Sequence, residues 1–203
     1  MKRCIIIQGP TNKFYVDENK KCWKNHDIIF STWEDADRSA YNTNDNVLYN
    51  KYPLDFGPSN WNLQRTSTLN GIIRAKEMGY DRIVKWREDF KTNNAENLLK
   101  LFNPDKTNFY AFMDHEPDNN GGYITDFFME GDINEMYDIF STEASGPFPE
   151  RILTNRVYEL GLDKKSNFIC KSITEEANVY WHKRKYWMIE IVPQQNYLNY
   201  IKK

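Results

Sequence analysis

Cysteine is scarce in this 203-residue chain: Cys4, Cys22 and Cys170 are its only three, and no two stand in a CxxC spacing. An odd, small number without paired spacing excludes a disulfide scaffold and a zinc knuckle, and fits a reducing, cytoplasmic compartment. Charge of one sign is not in excess: 27 Lys and Arg face 29 Asp and Glu, for a net charge of −2. A nucleic-acid-binding surface normally carries a basic excess. No nucleic-acid partner is therefore expected, and the basic stretch from His182 to Lys185 reads as solvated surface. Long hydrophobic runs are missing too. The first apolar run, Cys4 to Ile7, has four residues, too few for a signal-peptide core or a membrane span. Without a span any membrane contact is expected to be peripheral, and no basic amphipathic helix stands out to anchor it. Neither an internal repeat nor a low-complexity linker interrupts the chain.

What is present suits one domain. Hydrophobic residues make up 40% and aromatics 15%, enough for a core at this length. The pattern predicts strands at 3–8, 26–32, 46–49 and 80–88. It predicts a helix from a cap at Ser59 or Asn60 to about residue 78, where Gly79 stops it. Residues 14–25 are ambiguous, with a short helix as one reading. Further on, helices are predicted at 95–102, 132–140 and 149–160, and strands at 109–113 and 122–129. Two or three more strands fall around 168–173, 179–181 and 187–191, before a short terminal helix. Strands alternating with helices in the first half imply parallel βαβ units, with a more mixed second half. The expected fold is a single α/β domain with a mostly parallel central sheet flanked by helices. In such sheets a ligand sits beyond the C-terminal ends of the strands.

The stretch YDRIVKWREDF, residues 80 to 90, bears on that rule. Its start is apolar and its end charged. Residues two apart on a strand share a face, which aligns Ile83, Lys85, Arg87 and Asp89. The charged end would lie at the rim, where an anionic ligand and its counter-ion could sit. The alternative is a strand end that simply returns to water.

Four stretches in order carry a resemblance. They are IIIQGP (Ile5 to Pro10), DIIFSTWED (Asp27 to Asp35), NWNLQRTSTLNGIIRAK followed by YDRIVKWRED (Asn60 to Asp89), and TDFFMEGD (Thr125 to Asp132). Together they resemble the WavE-type family of lipopolysaccharide-synthesis proteins, glycosyltransferases of the GT-A kind. Leu63 stands where that family has Arg, with Arg65 two positions later. The acidic motif is Arg-Glu-Asp rather than Asp-x-Asp. The last forty residues carry no part of the likeness.

The resemblance implies a GT-A-like domain over 1–203, with 1–105 as the nucleotide-sugar half and 106–203 as the acceptor-side half. It implies transfer of a sugar from a nucleotide-diphospho-sugar, UDP-linked by preference, to a glycan or glycolipid acceptor in polysaccharide biosynthesis. Mn²⁺ or Mg²⁺ is implied as Lewis acid for the departing diphosphate, with Asp89 as first ligand and His182, or His115, as a further one. Gln8, Gly9 and Pro10 would form the nucleotide loop, Gln8 reading a uracil-like edge; a plain tight turn is the alternative. Lys85 and Arg87 would meet phosphate or ribose, or else form an internal ion pair. Glu88 faces the other way on a regular strand unless a bend brings it in. Thr32 and Trp33 end the second strand, and Trp33 either covers the base or packs in the core. Asn62, Gln64, Arg65 and Thr68, at a helix start, suit ribose and sugar hydroxyls. For an inverting transfer the general base would be Asp126 first and Glu150 second. MDHEPDNNGG, residues 113 to 122, would be an acceptor-side loop or a solvated turn. Two other functions fit such a fold: a nucleotidyltransferase, for which residues 11–13 (TNK) are a thin version of the basic Gly-rich loop, and a non-catalytic carbohydrate-binding module.

Overall fold

The computed structural model describes residues 1–9, 12–92, 95–111, 123–141, 146–170, 172–175 and 187–190, the last two strands by their backbone. The elements run β1 (Arg3–Gln8), α1 (Lys13–Cys22), β2 (Asp27–Trp33), β3 (Asn46–Asn50), α2 (Trp61–Glu77), β4 (Arg82–Arg87), β5 (Phe90–Thr92) and α3 (Ala95–Leu99). They continue as β6 (Asn108–Ala111), β7 (Ile124–Asp132), α4 (Ile133–Ser141), α5 (Pro149–Glu159), β8 (Asn167–Cys170), β9 (Ser172–Glu175) and β10 (Trp187–Glu190). Seven strands form the main sheet in the order β3-β2-β1-β4-β7-β6-β8, and β5-β10-β9 form a small second one. In the main sheet only β7 runs against its neighbours, β4 and β6; every other pair is parallel.

A parallel strand covered on both faces needs apolar residues at every position. β1 meets this with Cys4 to Ile7, all fully buried. Cys4 and Ile6 join the core layer under α2, α4 and α5, whereas Ile5 and Ile7 join the layer under α1 and α3. Contact between α2 and β1 is close: a Cβ at Gly71 would lie 2.5 Å from Ile6 Cγ2. That glycine lets the helix settle onto the central strand and fixes where its first turns reach the rim. Among the described residues no helix is long and apolar enough to cross a membrane.

Several boundaries differ from expectation. The ambiguous stretch 14–25 is α1, capped by Asn12, whose Oδ1 accepts from the Tyr15 amide at 3.2 Å. Of Ser59 and Asn60, it is Asn60 that holds the N-cap position of α2, though not by a side-chain bond. Both are left-handed, with φ of 48° and 65°. A chain turning through positive φ at two successive residues cannot present the extended N-cap geometry. The predicted strand 80–88 is shorter, because Tyr80 completes the end of α2 by donating to Ala75 O at 3.1 Å. Beyond Arg87 the chain turns and forms β5, which the sequence reading lacked. The strand predicted at 122–129 runs on through Gly131 and Asp132 as β7, so the helix predicted from 132 begins at Ile133. The single strand predicted at 168–173 is two, β8 and β9, in different sheets. Residues 113–122 and 179–181 and the predicted terminal helix lie outside the described residues.

Candidate active site

Two parallel strands, β1 and β4, finish level, and β2 beside them runs two residues further. Gln8 of β1 is in register with Ser31 of β2 on one side and Arg87 of β4 on the other. The chain leaving β1 is held between them: the Gly9 amide donates to Ser31 O at 3.3 Å, and the Glu88 amide donates to Gln8 O at 3.1 Å. Ser31 is fully buried and ties in α2 through its Oγ, which donates to Ser67 O at 2.6 Å. Asn50, at the end of β3, donates to Ser31 Oγ at 2.9 Å and to Thr32 O at 2.7 Å, and accepts from Asn70 of α2 at 2.9 Å. This polar lattice sets the first turns of α2 against the strand ends. Asn50 and Asn70 were not among the predicted site residues. Their one signal is asparagine inside a strand and inside a helix, where its propensity is poor and a specific bond has to offset it.

On α2, Gln64, Thr68 and Gly71 fall on one stripe. Gly71 meets Ile6, so Thr68 and Gln64 lie successively nearer the rim. Gln64 Oε1, Thr68 Oγ1 and Gln8 Oε1 are buried oxygens with no hydrogen-bond partner among the described residues, and Gln8 is 6% exposed. Buried polar atoms are nearly always bonded, so these three are available to hydroxyl or amide groups. Asn62 lies against Gly57. Arg65 is half-buried on the same helix. Thr32 is fully buried, and Trp33 is 3% exposed with its ring stacked on Tyr52 at 4.8 Å and 13°, which places it in packing. Pro10 and His182, and also His115, lie outside the described residues.

The charged end of β4 forms a closed cluster. Arg87 grips Asp89 with two bonds, Nε to Oδ1 at 3.0 Å and Nη2 to Oδ2 at 2.7 Å. Its Nη1 reaches both oxygens of Asp126, at 3.3 and 3.2 Å. Lys85 is fully buried, and its ammonium donates to the Asp126 carbonyl. Burial pushes the Lys85 ammonium down to about 8, with Asp126 opposing the fall. Burial also works against the Arg87 charge, but Asp126 and Asp89 outweigh it and hold the proton more firmly than usual. Glu88 is turned inward: a Cβ at Gly9 would lie 1.2 Å from Glu88 Oε2. Burial, and then the charge of Asp89, raise its carboxyl well above the usual range. The turn beyond Arg87 is fastened by Trp86, whose Nε1 donates to Phe90 O at 3.0 Å. Asn19 of α1 also fastens it, donating to Glu88 O at 2.9 Å. Asn19 was not expected from the sequence; an asparagine inside a helix is its only mark.

The two candidate bases differ. Asp126 is 2% exposed and committed to Arg87. Glu150, in the first turn of α5, is half-buried, and burial followed by the nearby Asp126 charge raises its proton affinity. The expected metal fits the described residues poorly. No three carboxylate, imidazole or thiolate groups converge among them, and both Asp89 oxygens already accept from Arg87. A surface cavity of about 480 Å³ lies elsewhere, at the start of β2 and β3 between Lys20, Asp27, Asn46 and Tyr80. Cavities of about 460 and 340 Å³ lie between α1 and α3 and along the β3 edge.

No protein-family model and no curated protein sequence matches the chain, so the WavE-type likeness rests on the four quoted stretches. Solved structures do match in fold. A Desulfovibrio desulfuricans G20 protein whose description assigns it as a nucleotide-diphospho-sugar transferase aligns with a TM-score of 0.58 at 13% identity, over 84% of this chain and 80% of that one. CMP:2-keto-3-deoxy-manno-octonic acid synthetase, complexed with CTP, aligns at 0.55 and 7% identity, over 84% and 90%. The 4-diphosphocytidyl-2C-methyl-D-erythritol synthase of Anaerococcus prevotii aligns at 0.51 and 13% identity, over 100% and 96%. The chain thus has the fold of the nucleotide-diphospho-sugar transferases: one α/β domain whose mostly parallel seven-stranded sheet is flanked by helices.

Proposed function

We propose that the chain is a glycosyltransferase that binds a nucleotide-diphospho-sugar across the ends of β1, β2 and β4 and passes the sugar to a hydroxyl of a glycan or glycolipid. The observation that carries this is the level row Ser31, Gln8, Arg87. It sets the unpartnered Gln8 amide oxygen beside a guanidinium, and α2, which carries the unpartnered Gln64 and Thr68 oxygens, is fastened against it. Gln8 suits a nucleobase edge, uracil by preference. Gln64 and Thr68 suit ribose hydroxyls, and Arg87 suits a diphosphate, since its planar fork matches phosphate oxygens. Glu150 is the better proton acceptor of the two candidates. A carboxylate of raised affinity at a half-buried position can take a hydroxyl proton near neutral pH, while Asp126 serves to aim Arg87.

The β1–α1 connection weighs against nucleotidyl transfer. Only Gly9, Pro10, Thr11 and Asn12 separate β1 from α1, with one glycine and no cation among them. A triphosphate is usually cradled by a longer, glycine-rich, basic loop. Incubating the protein with UDP-, GDP- and CMP-sugars, and following melting temperature and release of sugar, tests the proposal. Stabilisation and release with one of them is the expected result. Turnover of a nucleoside triphosphate with a sugar phosphate would favour nucleotidyl transfer. Binding of saccharide with no nucleotide effect would favour a non-catalytic module.

A further inference from the structure

Two carboxylates that share a divalent cation leave a gap between them for it. Between Asp89 and Asp126 that position holds the Arg87 guanidinium, bonded to both oxygens of each. It is held there from the sides as well. Phe90 and Phe127 stack on one another at 4.6 Å, and the guanidinium carbon lies 5.2 and 5.4 Å from their ring centres. The formal charges of Lys85 and Arg87 cancel those of Asp89 and Asp126. Glu88 adds no ligand, because its carboxyl is folded onto Gly9. A hard dication draws its affinity from net negative charge and open oxygen lone pairs, and this cluster supplies little of either. It can nevertheless receive an anion. A guanidinium has five N–H donors, four contacts are accounted for, and Arg87 is 25% exposed.

Resting on the reading of this rim as a nucleotide-sugar site, we infer that the diphosphate is held by hydrogen bonds from the open edge of the Arg87 fork, and that donor binding needs no divalent cation. In the transfer, the bond between the anomeric carbon and the diphosphate oxygen breaks, and its electron pair stays on the diphosphate. The acceptor oxygen bonds to the same carbon and gives its proton to the rim carboxylate Glu150. The Arg87 donors are in place before charge develops on the leaving group, which is the condition for electrostatic stabilisation.

Calorimetric titration of the full chain with UDP, GDP and CDP, each in EDTA and in Mn²⁺, tests this. At least one diphosphate is expected to bind in EDTA, with Mn²⁺ changing its Kd by less than about threefold. Arg87→Lys, which keeps the charge but not the fork, is expected to weaken that binding by about tenfold or more. Tightening by Mn²⁺ beyond that threefold limit, or an Arg87→Lys variant that binds like the parent, overturns the inference and leaves the nucleotide-sugar reading standing. Absence of binding by all three diphosphates in both buffers overturns the two together. The comparison of buffers needs no substitution, so it decides the matter even if Arg87→Lys does not fold.

Discussion

Glu88 lays its carboxyl over the face of Gly9 on which any other residue would carry its side chain, so that a Cβ there would fall 1.2 Å from Glu88 Oε2. Gly9 also has a φ of +139°, which side chains rarely tolerate. Gly9→Ala therefore meets two penalties, one steric and one conformational. Chemical denaturation is expected to show a loss of about 1–3 kcal/mol for the backbone part alone. Adding Glu88→Ala should recover the steric part and leave the backbone part, which a double-mutant cycle separates.

Glu88 should also give the fold a pH dependence. Its carboxyl is raised in the folded chain by burial and by Asp89, so between the ordinary carboxylate value and that raised value the native state holds the extra proton. Its contribution is complete at low pH and is lost as pH rises, by up to about 1.4 kcal/mol per pH unit. Glu88→Gln mimics the protonated acid. Unfolding free energies measured from pH 5 to 8 are expected to diverge in favour of the variant as pH rises. Parallel curves would place Glu88 in a solvated position.

At the far end of β4, away from the rim, Glu130 is fully buried. It accepts from Arg82 Nε and Nη2, both at 2.7 Å, and from Asn108 at 2.6 Å, with Arg3 at 3.3 Å. Removing one partner of such a pair strands the other charge. Glu130→Ala is expected to cost about 3–5 kcal/mol in urea unfolding, with nucleotide affinity of the folded fraction unchanged.

The roles of Glu150 and Asp126 separate kinetically. Glu150→Gln is expected to lower kcat by about 10²–10⁴-fold with little change in donor KM. Asp126→Asn frees Arg87 from one of its two anchors, and is expected to raise donor KM together with any loss in kcat. The opposite pattern would return the base to Asp126.

The parts of this fold that were legible in the sequence depend on local pattern. The apolar run Cys4 to Ile7 was legible as a strand, and Gly79 as the stop of the helix before it. Strand periodicity put Lys85 and Arg87 on one face, as in β4; Asp89 lies in the turn beyond the strand and joins them, with Asp126, through its bonds to Arg87. What could not be read depends on distance in sequence. Ser31, Asn50 and Asn70 are joined across three elements, and Asn19 bonds Glu88 from 69 residues away. β5 is three residues long and pairs with β10 almost a hundred residues later. The start of α2 was legible from Asn60, but its left-handed backbone and missing side-chain cap bond were not.

The most direct test of the central claim is a crystal structure of the protein soaked with the nucleoside diphosphate that binds best. The account predicts diphosphate oxygens within hydrogen-bonding distance of Arg87, between the ends of β1 and β4, and the base beside Gln8. A nucleotide seated instead in the cavity between Lys20, Asp27 and Tyr80, at the opposite end of the strands, would contradict it.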